Sequence, residues 1–194
     1  MRKSLFVLTL LISSVIAYAG PGGKYTADAS NSTIEWKAKK VTGAHNGTVN
    51  LKRGGLEFTD GALTGGMFEI DMTSIVCTDL KGDMKGKLEG HLKSADFFDV
   101  ENHNTATLKI TSVAAAGTPG DYKVTADLTI KGITKPVKFY TNVNTEAGTA
   151  SAEIEVDRTE YDVKYGSSTF FGNLGDRTIY DEFKMKVNLS IKEG

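Results

Sequence analysis

The sequence predicts an all-β protein, with about eight antiparallel strands and one short helix. Three observations predict it. Segment after segment alternates apolar and polar residues, most regularly where Phe183, Met185, Val187, Leu189 and Ile191 interleave with Glu182, Lys184, Lys186, Asn188 and Ser190. Tight-turn chemistry separates these segments: Asp60-Gly61 reads as a hairpin turn and Thr118-Pro119-Gly120-Asp121 as a type II turn. A helical period occurs once, in Leu80, Met84, Leu88 and Leu92, so there is no βαβ rhythm.

Taken in order, Lys24 to Asp28 is a short strand ended by Ser30-Asn31-Ser32. Ile34, Trp36 and Ala38 then form one face of a strand, and the same parity turns Lys40 inward. Val49 and Leu51 mark the next strand, which Gly54-Gly55 interrupts before Leu56 and Phe58. Phe68, Ile70 and Met72 oppose Glu69 and Asp71 in a strand from Leu63 to Met72. Asp79 or Asp83 is placed to cap the helix, and Gly82, Gly86 and Gly90 each weaken it by roughly 1 kcal/mol, so its stripe must pack on something. Strands follow at 107–113, 124–130, 137–143 and 152–156. Arg158 to Asp176 is a loop rich in Gly and Ser, and 183–191 is the last strand. One wet face per strand fits a sandwich or a closed barrel. The barrel is favoured, because the strands follow as simple hairpins and closure removes exposed edges. The pattern does not decide whether side chains fill it or leave it hollow.

With 194 residues, 24% of them charged and a formal charge of −1, the chain is an ordinary single-domain length with no basic patch, so nucleic acid is not an expected partner. Residues 1–19 read as a secretory leader: Arg2 and Lys3, an apolar stretch from Leu5 to Ile16, then Ala17-Tyr18-Ala19, with cleavage before Gly20. Losing the two positive charges of Arg2 and Lys3 takes the formal charge from −1 to −3. The remainder, 20–194, has no second long apolar run, so stable membrane insertion is not expected. Cys77 is the one cysteine, either a buried free thiol or an intermolecular link, with the thiol favoured by apolar Ile75 and Val76. A homodimer is left open.

Catalytic motifs are missing: no Gly-x-Ser-x-Gly elbow, phosphate loop, dinucleotide fingerprint or His-Glu-x-x-His. No metal ligands are assigned, since His45, His91 and His103 share no helical spacing. His91 with Asp96 is an acid–base pair only if the fold joins them to a cavity. Phe97 and Phe98 are core plugs where the helix meets the barrel, or part of a ligand wall; Trp36 has the same two readings. Tyr165, Phe170 and Phe171 either staple their loop down or form a lid at the rim of a barrel mouth. Lys40 is an ion-paired or rim-reaching lysine, or a contact to a head group.

HLKSADFF at 91–98, DLTIKGITKPV at 127–137 and FEIDMTSI at 68–75, with DRTEYDVKYGSSTFFGNLGDRTIYD at 157–181, resemble the YceI-like family from about Tyr25 to Ile191. The resemblance implies an exported, lipocalin-like, extended eight-stranded antiparallel barrel with a helix at one end. It implies an apolar tunnel that takes a long isoprenoid lipid, a quinone or polyprenyl phosphate, as ligand, with no other cofactor and no catalysis. The tunnel wall then falls on Ile34, Trp36, Ala38, Phe68 and Ile70 in the first half of the chain. It continues through Phe97, Phe98, Leu108, Ile110 and Leu128, and closes with Phe139, Ile154, Met185 and Val187. Lys40, His91, Tyr165, Phe170 and Phe171 take head-group or rim positions. Many members have His where Lys40 stands, Tyr-Pro where His103-Asn104 stand and Phe where Leu108 stands, which bears on ligand identity more than on fold. A filled barrel serving as a protein-interaction module and an isoprenoid-modifying enzyme using His91 and Asp96 are the competing functions.

Overall fold

The computed structural model describes residues 22–194; the expected leader, 1–19, lies outside the described residues. Eight antiparallel strands close into a barrel in chain order: β1 (Gly23–Lys40), β2 (Gly43–Thr59), β3 (Ala62–Cys77), β4 (Thr105–Ala115), β5 (Asp121–Ile130), β6 (Ile133–Asn144), β7 (Thr149–Asp157) and β8 (Ile179–Glu193). β8 pairs back onto β1, so each of the described strands has a neighbour on both sides.

The turns follow from the residues. Asp60 and Gly61 both have positive φ, 51° and 75°, the mirror-image turn that matches strand twist. Lys131 and Gly132, at 52° and 74°, repeat it between β5 and β6. At the β4–β5 connection the Asp121 N–H donates to Thr118 O at 3.0 Å and Gly120 has φ +90°, as a type II turn requires.

Two expected strand ends are not ends. Ser30-Asn31-Ser32 is an irregularity inside β1, between Asp28 and Thr33, where the Asp28 carboxylate accepts from Ser30 N–H at 3.0 Å. Local hydrogen bonding replaces ladder bonding there without stopping the strand. Gly54-Gly55 lies within continuous β2, and its glycines answer close packing: a Cβ at Gly54 would collide with the Phe68 side chain and Met67 O.

The helix α1 (Gly82–Lys93) lies between β3 and β4 and packs on β3 at one end of the barrel. Its N-cap is Lys81 with no side-chain cap, so neither Asp79 nor Asp83 does that work. Three of the four residues of the expected stripe are used: Leu92 is buried, and Leu88 and Leu80, the latter just ahead of the helix, are half-buried against the core, whereas Met84 is exposed. The Glu89 carboxylate anchors the helix by accepting from Cys77 N–H at 2.8 Å. After Ser94 the chain turns Phe97 and Phe98 inward, 7% and 8% exposed, with ring centroids 5.5 Å apart.

The opposite end is packed shut. Phe58, Leu63, Val124, Val143 and Ile191 are buried there, and Tyr25 meets Phe58 edge-on at 5.2 Å. Cys77 is a fully buried free thiol.

Candidate functional site

Between the helix end and the packed end, the inward side chains leave a cavity of about 210 Å³. All fourteen residues expected on the wall line it. The wall follows from strand parity: Ile34, Trp36 and Ala38 in β1 face across to Met185 and Val187 in β8, and Phe68 and Ile70 in β3 sit beside Leu108 in β4. Sequence reading missed further wall residues on the same faces, among them Met72, Ala106 and Phe183, and the helix residues Leu88 and Leu92.

The mouth, at the helix end, carries the charged and imidazole groups, while the lining hydroxyl residues Thr141 in β6 and Ser151 in β7 lie toward the opposite end. Lys40 ends β1, opposite Gly43 in β2 and Ile179 in β8, and lines the cavity half-buried. Among the described residues it makes no ion pair, so of the bland readings only the rim-reaching lysine fits.

His91 also lines the cavity. Its ring packs edge-on against Tyr165 at 4.4 Å and Phe97 at 5.3 Å, and its buried Nε2 has no hydrogen-bond partner among the described residues. A buried ring nitrogen left unpaired costs about 1–3 kcal/mol unless a ligand or water meets it. Tyr161 OH shares this state, and burial, reinforced by Glu160, pushes that phenol up to about 12. Tyr161 does not line the cavity.

Arg158 is the lining residue that sequence reading missed most plainly. It is 3% exposed. Its guanidinium donates to Tyr180 O at 3.2 Å, Ile179 O at 3.0 Å and Val163 O, and lies 3.4 Å from the Asp181 carboxylate. Its carbon sits 5.7 Å from the Phe97 ring centroid. Burial pulls its pKa down and Asp181 opposes that, so the group remains cationic. The signal was available: Arg158 continues the inward parity of Ile154 and Val156.

The loop aromatics divide. Tyr165 reaches the mouth through its contact with His91 but does not line the cavity. Phe170 and Phe171 lie outside the lining, about half exposed. Their N–H groups both donate to Ser167 O, at 3.3 and 3.0 Å, and Phe170 stacks under the Lys164 ammonium at 5.0 Å. They therefore lie neither in the core nor on the cavity lining. Asp96 is exposed and also outside the lining, so the expected acid–base pair with His91 is not assembled at the cavity.

Fold and site together define a closed eight-stranded barrel with a blind apolar cavity and a polar mouth beside a short helix. The YceI-like domain model matches residues 25–191, and the chain belongs to that family. A UPF0312 protein of Vibrio cholerae is 30% identical over 142 residues, 71% of either chain. One from Vibrio parahaemolyticus is 28% identical over 142 residues, again 71% of either chain. Among solved structures, BcnA of Burkholderia cenocepacia superposes with a TM-score of 0.64 at 23% identity, over 86% of this chain and 99% of that one. A polyisoprenoid-binding domain from Saccharophagus degradans superposes with a TM-score of 0.62 at 14% identity, over 88% of this chain and 98% of that one. At such identities the likeness is one of fold. Among the described residues no helix is long and apolar enough to cross a membrane.

Proposed function

We propose that this protein binds a long apolar lipid lengthwise in its barrel, an isoprenoid of the quinone or polyprenyl phosphate class, and carries or sequesters it. The observation that carries the reading is the cavity: apolar along most of its wall, packed shut at one end, with Lys40 and a His91 Nε2 that has no hydrogen-bond partner among the described residues at the other. A chain-like ligand enters tail first from the helix end and leaves its head group at the mouth. Each buried methylene contributes roughly 0.8 kcal/mol, offset by the cost of ordering the chain. The free volume of about 210 Å³ suits one narrow chain rather than a bulky compact ligand. The polyisoprenoid-binding neighbour of the same fold supports this reading.

The role proposed is binding without catalysis, in the periplasm or outside the cell, as the leader expected at 1–19 requires. Native mass spectrometry of protein purified without harsh extraction tests it. The expected result is a complex heavier than the chain by the mass of one isoprenoid. Protein that is empty as isolated, and that also takes up no added polyprenol, quinone or polyprenyl phosphate, overturns it.

A further inference from the structure

We propose that His45, Cys77 and Asp79 form a binding site for a divalent d-block cation, zinc foremost, on the rim of the barrel. One ligand atom from each lies within 4.8 Å of the others. His45 Nδ1 is 2.9 Å from Asp79 Oδ2, and Cys77 Sγ is 3.1 Å from Asp79 Oδ1. Tetrahedral zinc, with bonds near 2.3 Å to sulfur and 2.0–2.2 Å to nitrogen and oxygen, sets such atoms about 3.3–3.6 Å apart. Shifts of a few tenths of an ångström to about 1 Å would therefore seat the ion. The donor set is one thiolate, one imidazole and one carboxylate, which suits zinc or its neighbours and suits calcium or magnesium poorly.

The sheet holds the three residues together although His45 and Cys77 are far apart in sequence. Gly47 of β2 pairs with Cys77 of β3, and Thr78 N–H donates to Asn46 O at 2.9 Å. Asp79 is fixed by the Asn46 N–H at 3.0 Å, a bond that a metal on its carboxylate leaves in place. Cys77 is fully buried, so entry is past His45 and Asp79, whose side chains are 28% and 26% exposed. On binding, the Cys77 thiol proton and the Nδ1 proton that His45 shares with Asp79 both leave to solvent, the neutral imidazole carries its one proton on Nε2, and the metal replaces the two hydrogen bonds that Asp79 accepts from these groups. Three protein ligands leave a fourth position open, and His45 also lines the cavity, so the ion would stand at its mouth.

The test uses the full chain stripped with a chelator, then titrated with Co²⁺ and Zn²⁺. The expected result is a thiolate-to-cobalt charge-transfer absorption that Zn²⁺ abolishes by competition, and a thermal midpoint that Zn²⁺ raises. His45→Ala and Asp79→Asn should each weaken Zn²⁺ binding at least about tenfold. Cys77→Ser should lose the charge-transfer band; should that buried variant fail to fold, the half-exposed His45→Ala carries the same test. Cobalt binding without a thiolate band, or Zn²⁺ affinity unchanged in His45→Ala, means an adventitious ion only and overturns the site.

Discussion

The indole of Trp36 lies across the backbone of Gly47, its partner in the β1–β2 ladder, so closely that a Cβ there would come within 2.6 Å of the ring. The same Cβ would strike Val76 O, the carbonyl that accepts from Trp36 Nε1 at 3.2 Å. One glycine thus lets a wall residue of the cavity, its hydrogen bond and two strand pairs coexist. Gly47→Ala should destabilise the protein by at least about 2 kcal/mol through overpacking. Gly86→Ala should do the opposite, by roughly 0.5–1 kcal/mol, because its Cβ meets open space inside a helix. Urea unfolding of the two variants measures both signs, and a neutral Gly47→Ala refutes the contact.

Arg158 is the buried charge on which the helix end depends. Arg158→Met removes the partner of Asp181 and of three backbone carbonyls at once. Breaking a buried pair from one side costs about 3–5 kcal/mol, and Arg158→Lys should recover only part of it because an ammonium cannot reproduce the planar fork. Denaturant midpoints of the three proteins give the ranking; equal stability of Arg158→Met and the parent contradicts the assignment.

How much of this was legible in the chain follows from which forces are local. The strands were, because each residue's alternation between wall and water is written at period two. Their continuity was not: Asp28 through Ser32 and Gly54-Gly55 carry turn chemistry, and only the neighbouring strands show that they are a bulge and a close approach. In β2 the wall residue Leu56 and the plug residue Phe58 share one parity, so the blind end of the cavity had no signature of its own. Arg158 was readable as an inward position and was masked by the glycine-rich loop after it. Phe170 and Phe171 show the converse: aromatic character in a loop does not say which way a backbone turn at Ser167 will face them.

Acid should loosen the β2–β3 pair in a defined way. Arg53 and Glu69 are opposed in that ladder, and the hydrogen bond from Arg53 holds the Glu69 carboxyl below its usual range against the effect of partial burial, with Lys52 assisting. A carboxylate whose folded pKa is depressed contributes stability that is present above its unfolded value, about 4.3, and is lost as the pH falls through the folded value. Glu69→Gln should therefore show a flatter fall of thermal midpoint below about pH 4 than the parent, and high salt should narrow the difference. Parallel pH profiles for the two proteins would contradict this.

Tail and head of a bound lipid should be separable by two substitutions. Ala106 is 5% exposed and lines the cavity in β4, so Ala106→Phe adds a ring where a chain would thread, at a folding cost of about 1–3 kcal/mol. It should lower affinity for every isoprenoid tested, charged or neutral. Lys40→Ala leaves the apolar wall intact and removes from the mouth a cation that makes no ion pair among the described residues. It should weaken binding of a polyprenyl phosphate by about tenfold, the scale of one charge-assisted hydrogen bond of roughly 1.5–3 kcal/mol, and leave the matching polyprenol unaffected. Fluorescence competition with the phosphate and the alcohol of one chain length reads both. If Ala106→Phe binds as well as the parent, the tail does not run through the barrel. If Lys40→Ala lowers both affinities equally, Lys40 shapes the mouth and does not recognise the head group.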